Sequence, residues 1–383
     1  MPWKVINQME LKTQLVTDHS QGHFSITDLS QKYGISRPTV YKWLDRHKQF
    51  GIDGLKEQSR APKNSPHRTS EAILDLVIQE KLKNRKRGPR KVRAQLKRRH
   101  PEIKFPAIST IAYWLKKEGL VEERKKRRHV PPYTQPFSEC LAPNDVWSID
   151  YKGQFYMKNN HVCYPLTVSD NFSRFILGCD ALRGPRYVPT RYCLEKIFCE
   201  YGLPYAIRSD NGTPFASRCI GGLSRLMVWL ILLGIIPERI DKGCPQQNSR
   251  HERMHRTLKS DALDPVARDL REQQKAFDVY RHEFNYDRPH ESLNDQTPGE
   301  YYKKSNRPYV KHPHPPEYGH DYIVRQVRHN GEIKFQGRMF FITESLAGLP
   351  VGLREIADGL WRLQFSFYAL GSVDLRKNKI VRD

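Results

Sequence analysis

Three acidic residues stand where a carboxylate could do metal chemistry. Asp150 lies in an otherwise apolar run, Val146 to Tyr151. Asp210 ends the run Ala206 to Ser209 in the turn Ser209-Asp210-Asn211-Gly212, and Glu252 sits on a strongly charged helical segment. Carboxylates from strand ends and a helix that converge on an open sheet can hold divalent ions. Phosphodiester chemistry uses two Mg²⁺ ions roughly 4 Å apart, one at the attacking oxygen and one at the leaving oxygen. Mg²⁺ prefers hard carboxylate oxygens and keeps several waters, so three acids and a substrate phosphate would complete such a site. Taken singly, each Asp is equally a turn former or a cap.

The neighbours fit a nucleic-acid substrate. Glu252, His255, Arg256 and Lys259 follow i, i+3, i+4, i+7 spacing and share a helix face, a carboxylate for metal beside donors for phosphate. The alternative is a solvated charged helix held by ion pairs. Asn211 and Gly212 let the chain turn sharply after Asp210. Asn248 precedes the Glu252 helix and would cap it or touch DNA, and Lys152, two residues beyond Asp150, is a further candidate DNA contact. Asp145, Asp170, Asp180 and Glu195 read as turn or surface acids, and Arg288-Pro289-His290 as a structural docking element.

These acids need a scaffold. Val146 to Tyr151, Val162 to Val168, Arg174 to Cys179 and Ala206 to Ser209 are expected strands; Thr190 to Tyr201 and Leu223 to Leu233 are expected helices. Strands followed by alternating helix and strand predict an α/β layer with a mixed sheet. The tail from Tyr318 to Val381 alternates short apolar runs with glycines, which predicts a small β-barrel.

The amino-terminal third is helical. Ile26, Leu29 and Tyr33, then Val40, Trp43 and Leu44, recur at helical spacing around Tyr33-Gly34-Ile35-Ser36. Gly34 can end the first helix in a left-handed cap, Ser36 can cap the second, and Pro38 is tolerated at a helix start. This is a helix-turn-helix reading, in which Arg37, Thr39 and Lys42 open a recognition helix and Arg46 lies near phosphates; a plain helical hairpin is the alternative. After a Pro- and Ser-rich linker, Ala72 to Leu82, Pro89 to Arg99 and a helix capped by Ser109 form a second helix-turn-helix, with Thr110 and Lys116 outward. From Lys81 to Arg99 there are eleven basic residues, Arg90 and Lys91 among them, and no acidic one. Such a face repels itself unless phosphates neutralise it. Two readers in tandem imply a long DNA site.

Composition narrows the classes. The 383 residues carry Lys plus Arg 65 against Asp plus Glu 42, a formal charge of +23, which makes nucleic acid the expected partner. Residues 1 to 140 hold +16 of that charge and 141 to 300 only +1. With 38% hydrophobic and 11% aromatic residues, wholesale disorder is excluded. No run reaches the roughly 18 apolar residues of a membrane span, and no signal-peptide pattern is present. Seven cysteines without a CxxC pair read as reduced packing residues.

Four separated blocks, WSIDYKGQF, RSDNGTPFAS, GCPQQNSRHERMHRTLK and FNYDRPHESLNDQTPGEYY, resemble bacterial insertion-sequence transposases with a retroviral-integrase-type core. The resemblance implies a ribonuclease-H-like fold and a DDE triad at Asp150, Asp210 and Glu252 with two Mg²⁺ or Mn²⁺ ions. It further implies cleavage that exposes 3′-hydroxyl ends and their joining to target DNA by transesterification. The partners would be double-stranded DNA, as terminal inverted repeats and target, and further copies of the chain in a synaptic complex, without a membrane; the location would be cytoplasmic and nucleoid-associated. The implied organisation is a helix-turn-helix domain (1–57), a linker (58–70), a second helix-turn-helix domain (71–123), a basic linker (124–140), the catalytic core (141–305) and the barrel (318–383). The third block reads Asn248-Ser249 where the family pattern has Asn-Gly. That departure motivates the competing reading, a DNA-binding regulator or domesticated inactive transposase; a nonspecific nuclease of the same fold is a third.

Overall fold

A computed structural model describes residues 7–57, 69–121, 139–217, 222–241 and 249–381. The chain divides into two compact units, Met1–Thr69 and Ser70–Asp383. In the first, α1 (Gln8–Ser20), α2 (Ile26–Tyr33) and α3 (Arg37–Phe50) close around Leu15, Leu29, Val40, Trp43 and Leu55. Ser25 and Asp28 form a reciprocal capping box at the start of α2, and Gly34 ends it at φ 65°, the left-handed region that suits glycine. Ser36 occupies the N-cap of α3, but its hydroxyl pairs with Thr39 Oγ1 at 2.9 Å rather than with a backbone amide. Gly34 thus ends α2 as the sequence predicts, whereas Ser36 holds the N-cap position of α3 without capping a backbone amide. Helix α1 was not among the expected elements.

The second unit begins with α4 (Glu71–Lys83), α5 (Pro89–Arg99) and α6 (Ile108–Lys117), packed on Val77, Val92, Leu96, Phe105, Ile111 and Leu115. Helix α6 starts at Ile108 with Ala107 as its N-cap, so Ser109 lies inside the helix and does not cap it.

A six-stranded mixed sheet follows, made of β1 (Val146–Tyr151), β2 (Phe155–Tyr156), β3 (Val162–Asp170), β4 (Ile176–Leu182), β5 (Ala206–Ser209) and β6 (Ile236–Arg239). Strands β2, β3 and β4 are joined by antiparallel pairing, β1 pairs β3 antiparallel, and β5 and β6 continue from β1 in parallel. Side-chain alternation gives the sheet two buried faces. Trp147, Ile149, Leu166 and Val168 pack with α7 (Tyr187–Tyr201) and α8 (Arg225–Leu232). On the other face Cys163 and Cys179 meet Met254 and Leu258 of α9 (Ser249–Ala262) and Phe277 and Tyr280 of α10 (Leu270–His282). Asn285 locks the end of α10 to β4, its side-chain amide donating to Ile176 O and accepting from Ile176 N.

After α11 (Pro298–Tyr301) the tail forms a five-stranded antiparallel sheet in the order β13-β12-β11-β10-β7, with a separate hairpin β8-β9. The strands are β7 (Ile323–Gln326), β8 (Glu332–Phe335), β9 (Arg338–Phe341), β10 (Pro350–Ala357), β11 (Leu360–Phe365), β12 (Tyr368–Asp374) and β13 (Lys379–Val381). The expected β-domain is present, but among the described residues β13 and β7 end the sheet without pairing to each other, so these pairings do not close a barrel. Of the cysteines, Cys163, Cys179 and Cys193 are buried and Cys199 is exposed; Cys219 and Cys244 lie outside the described residues.

The basic run from Lys81 to Arg99 departs from expectation. Arg87, Arg99 and Lys83 surround the buried Glu80 carboxylate. Arg90 bridges Glu291 at 2.6 Å and Asp295 at 3.1 Å, Arg98 meets Glu300 at 2.8 Å, and Lys86 reaches Asp264 at 3.8 Å and the Ser260 carbonyl. Carboxylates, several of them between Asp264 and Glu300, thus neutralise much of a face that its sequence assigns to phosphates. Arg90 in particular docks on the 291–295 segment, with its side chain still 43% exposed. Lys91 beside it is half-buried, and burial together with Arg288 and Arg87 holds its ammonium down to about 8, against a weaker pull from Asp261 and Glu291. An unfolded lysine titrates near 10.4, so between those values the unfolded chain binds more protons and stability rises with pH. Lys91→Met is therefore expected to raise the unfolding temperature at pH 7 and to flatten its rise between about pH 8 and 10.5; calorimetry showing the same pH slope in variant and wild type would contradict the assignment.

Candidate active site

Backbone pairing brings the first two acids together. Ile149 of β1 lies opposite Ser209 of β5 in parallel register, so Asp150 and Asp210 emerge one residue later at the same end of the two strands. Antiparallel pairing places Thr167 opposite Asp150. The chain can turn at Asp210 because Gly212 carries no side chain: a Cβ there would stand 2.9 Å from Asp210 Oδ2, while its amide donates to Asp210 Oδ1 at 3.0 Å. Asn211 secures the turn by donating from its side chain to Ile240 O.

Helix α9 supplies the third acid. Met254, His255 and Leu258 are buried, as is His251, whereas Glu252, Arg253, Arg256 and Lys259 are exposed. Glu252 is close enough to act on Asp150. Burial, then the negative charge of Asp210, pushes the Asp150 carboxyl up to about 7, with Glu252 adding to the rise and the Tyr151 amide and Lys152 opposing it. Asp210 and Glu252 thus lie within electrostatic reach of Asp150, and among the described residues the opposing charge of Lys152 does not offset them. That donor set, hard oxygens with unmet negative charge, fits a divalent cation.

The inner face of α9 carries a polar network that the sequence reading did not identify. His251 Nε2 and His255 Nε2 lie 2.8 and 2.6 Å from Thr167 Oγ1, and His251 Nδ1 lies 2.8 Å from Ser169 Oγ. The Thr167 hydroxyl donates to Asp150 O at 3.1 Å. His255 Nδ1 is 3.7 Å from Asp150 Oδ2. Burial holds both imidazoles neutral, His251 down to about 3 and His255 to about 2. His255 is 5% exposed, so its reading as a DNA contact is corrected. At i+3 from Glu252 it falls on the border of the exposed stripe, and its ring is drawn inward by the Thr167 hydroxyl. The available signals were Thr167 and Ser169, polar residues alternating in an apolar strand, and histidines at i, i+4 on one helix.

The other expected contacts distribute as follows. Arg37 and Lys42 are exposed on α3, Thr39 and Arg46 are half-buried there, and Arg46 and Lys42 lie 5.2 Å from the Trp43 ring centroid. Lys116 is exposed on α6, Thr110 half-buried. Lys152 is half-buried and acts on both Asp150 and His255. Asn248 lies outside the described residues. Ser249 opens α9 in helical conformation, so the backbone there makes no demand for glycine. Arg288 pairs with Asp261 of α9 at 2.8 Å. Asp145 accepts from the Leu141 and Ala142 amides, Glu195 pairs with Arg191, Asp180 is half-buried on β4, and Asp170 is a buried turn anchor that accepts from Asn144 and Ser173.

Thr167→Val keeps the shape of the side chain and removes the acceptor shared by two buried imidazoles, each lost partner costing about 1–3 kcal/mol. The variant is expected to unfold at lower temperature by calorimetry, with Thr167→Ser close to wild type. Equal unfolding temperatures for Val and wild type would refute the network.

Comparison with known proteins agrees with this architecture. Family models for the integrase core domain match residues 141–245 and 233–298. A helix-turn-helix domain matches 11–63, a homeodomain-like domain 39–115, and the C-terminal domain of IS481 family transposases 322–381. An uncharacterized 31.7 kDa protein of insertion element IS407 from Burkholderia multivorans is 26% identical over 242 residues, 62% of this chain and 83% of that protein. An uncharacterized 39.2 kDa protein of insertion element IS476 from Xanthomonas euvesicatoria is 24% identical over 274 residues, 71% and 76% of the two chains. Among solved structures, the HTLV-2 integrase catalytic core domain in complex with magnesium has 15% identity and a TM-score of 0.34, covering 43% of this chain and all of that one. The integrase core belongs to a metal-dependent class of enzymes. With an integrase core domain and the C-terminal domain of IS481 family transposases matched in one sequence, the chain is similar to insertion-sequence transposases, and these matches support transposase/integrase enzyme activity.

Proposed function

We propose that the chain moves its own element as a DDE transposase, binding the terminal inverted repeats, hydrolysing DNA to expose 3′-hydroxyl ends and joining those ends to target DNA by transesterification. The observation that carries the reading is the convergence of Asp150, Asp210 and Glu252 from β1, from the turn after β5 and from α9. These three would hold two divalent ions, Mg²⁺ or Mn²⁺, which when bound supply Lewis-acid stabilisation of charge at the attacking and leaving oxygens.

The chain's own residues then have distinct tasks. Asp150 is less exposed than Glu252, and a bound cation would favour its charged form at neutral pH. Gly212 keeps the turn narrow so that the Asp210 carboxylate stays beside it. Arg256 and Lys259, exposed on the helix face that bears Glu252, would bind phosphates flanking the scissile bond, with Lys152 nearer Asp150. On α3, Arg37, Thr39, Lys42 and Arg46 would read or position repeat DNA, and Thr110 and Lys116 of α6 would do so in the second reader. Pairing of two element ends requires a multimer in the synaptic complex, acting on DNA in the bacterial cytoplasm.

Asp210→Asn and Glu252→Gln are each expected to abolish nicking and strand transfer on duplex DNA carrying the element's ends while leaving end binding close to wild type. Cleavage retained by either purified variant would sink the catalytic assignment. A wild-type protein that binds the ends in Mg²⁺ and never cuts would favour the regulator reading.

A further inference from the structure

One proton assignment lets every contact of the hydrogen-bond network beneath the acids form at once. Thr167 Oγ1 has a single hydrogen and three neighbours: Asp150 O at 3.1 Å, His251 Nε2 at 2.8 Å and His255 Nε2 at 2.6 Å. A carbonyl oxygen only accepts, so with the hydroxyl donating to it both Nε2 atoms donate to the hydroxyl oxygen. His251 then carries its proton on Nε2 and accepts from Ser169 Oγ on Nδ1, at 2.8 Å; both its nitrogens are satisfied. In the same assignment His255 carries its proton on Nε2, which leaves a bare lone pair on Nδ1. That lone pair faces Asp150 Oδ2 across 3.7 Å, too far for a hydrogen bond and with an acceptor on either side. Among the described residues no other group approaches Nδ1 to donate.

A buried lone pair set against a carboxylate oxygen lacks only a cation between them. Asp150, His251 and His255 each offer a ligand atom within 4.8 Å of the others, and a metal bonded at roughly 2.1 Å to nitrogen and to oxygen can span the 3.7 Å between His255 and Asp150. We propose that His255 Nδ1 is a nitrogen ligand to the cation held by Asp150, so that this position takes a first-row transition ion in preference to Mg²⁺. Imidazole nitrogen suits transition ions, whereas Mg²⁺ is served by oxygen. His251, with both nitrogens occupied, orients Thr167 and is not a ligand. The inference rests on the reading of the three acids as a metal site, and it adds a ligand of a different chemical kind.

The test loads the full-length protein with Mn²⁺ and records pulsed electron paramagnetic resonance. Nitrogen-14 coupling on the bound Mn²⁺ is expected in wild type and in His251→Gln, and absent in His255→Gln. Mn²⁺ affinity, followed by loss of the free-ion signal, should fall about tenfold or more in His255→Gln, while Mg²⁺ affinity measured by competition should change less than about twofold. Bound Mn²⁺ without nitrogen coupling in the wild type overturns the inference without recourse to any variant and leaves the acid site standing. Coupling that survives in His255→Gln also overturns it. Wild-type protein that leaves the Mn²⁺ signal unchanged overturns both this inference and the metal reading beneath it.

Discussion

A half-buried carboxylate in the middle of a sheet is the constraint around which the second unit is organised. Asp150 lies on β1, between an antiparallel neighbour and a parallel one, and its charge has no strong partner among the described residues. Apolar packing on the opposite face, from Trp147, Ile149, Leu166 and Val168, pins the strand in register. A slip of one residue would exchange the faces and send Asp150 into that core. The same register fixes Asp210 beside Asp150 and Thr167 opposite it, so the acidic cluster and its polar support are two consequences of one pairing. Sheet stability and site geometry are therefore inseparable here.

Charge is handled differently in the two halves of the second unit. In the helical part the cations are abundant, and Glu80, Asp264, Glu291, Asp295 and Glu300 gather around them. At the sheet end the carboxylates are crowded, and Lys152 is a weak counterweight to them. Ion pairs with exposed members contribute little stability one by one. Their collective effect is orientational: they fix which side of α5 meets the core. The near-zero net charge of residues 141 to 300 conceals this arrangement, because it sums an acid-rich docking surface with the basic outer face of α9.

Local features were legible in the sequence, and long-range ones were not. The turn between α2 and α3 announces itself through Gly34 and Pro38, whose backbone preferences act within a few residues. The strands that carry Asp150 and Asp210 follow from short apolar runs, and their acids stand out because they interrupt those runs. Helix α1 was missed: of its residues only Leu15 is buried, so its apolar stripe is faint. The His251, Thr167, Ser169 and His255 contacts join residues 82 to 88 apart, and Arg90 reaches Asp295 across 205 positions. No spacing rule reaches that far. Spacing alone also misjudged His255, since a residue on the edge of a helical stripe turns outward or inward according to the partner that tertiary structure offers.

The docking of α5 has a thermodynamic corollary. When a cation binds DNA phosphate, small ions condensed on the duplex are set free, and that release gives binding its salt dependence. Arg90, Arg98 and Lys86 already hold carboxylates as tethered counterions. Phosphate that reached these side chains would trade one anion for another and leave the displaced carboxylates facing the polyanion. The second helical unit thus presents a smaller effective valence to DNA than its count of lysines and arginines suggests, and the steepest response to ionic strength belongs to cations without a carboxylate of their own.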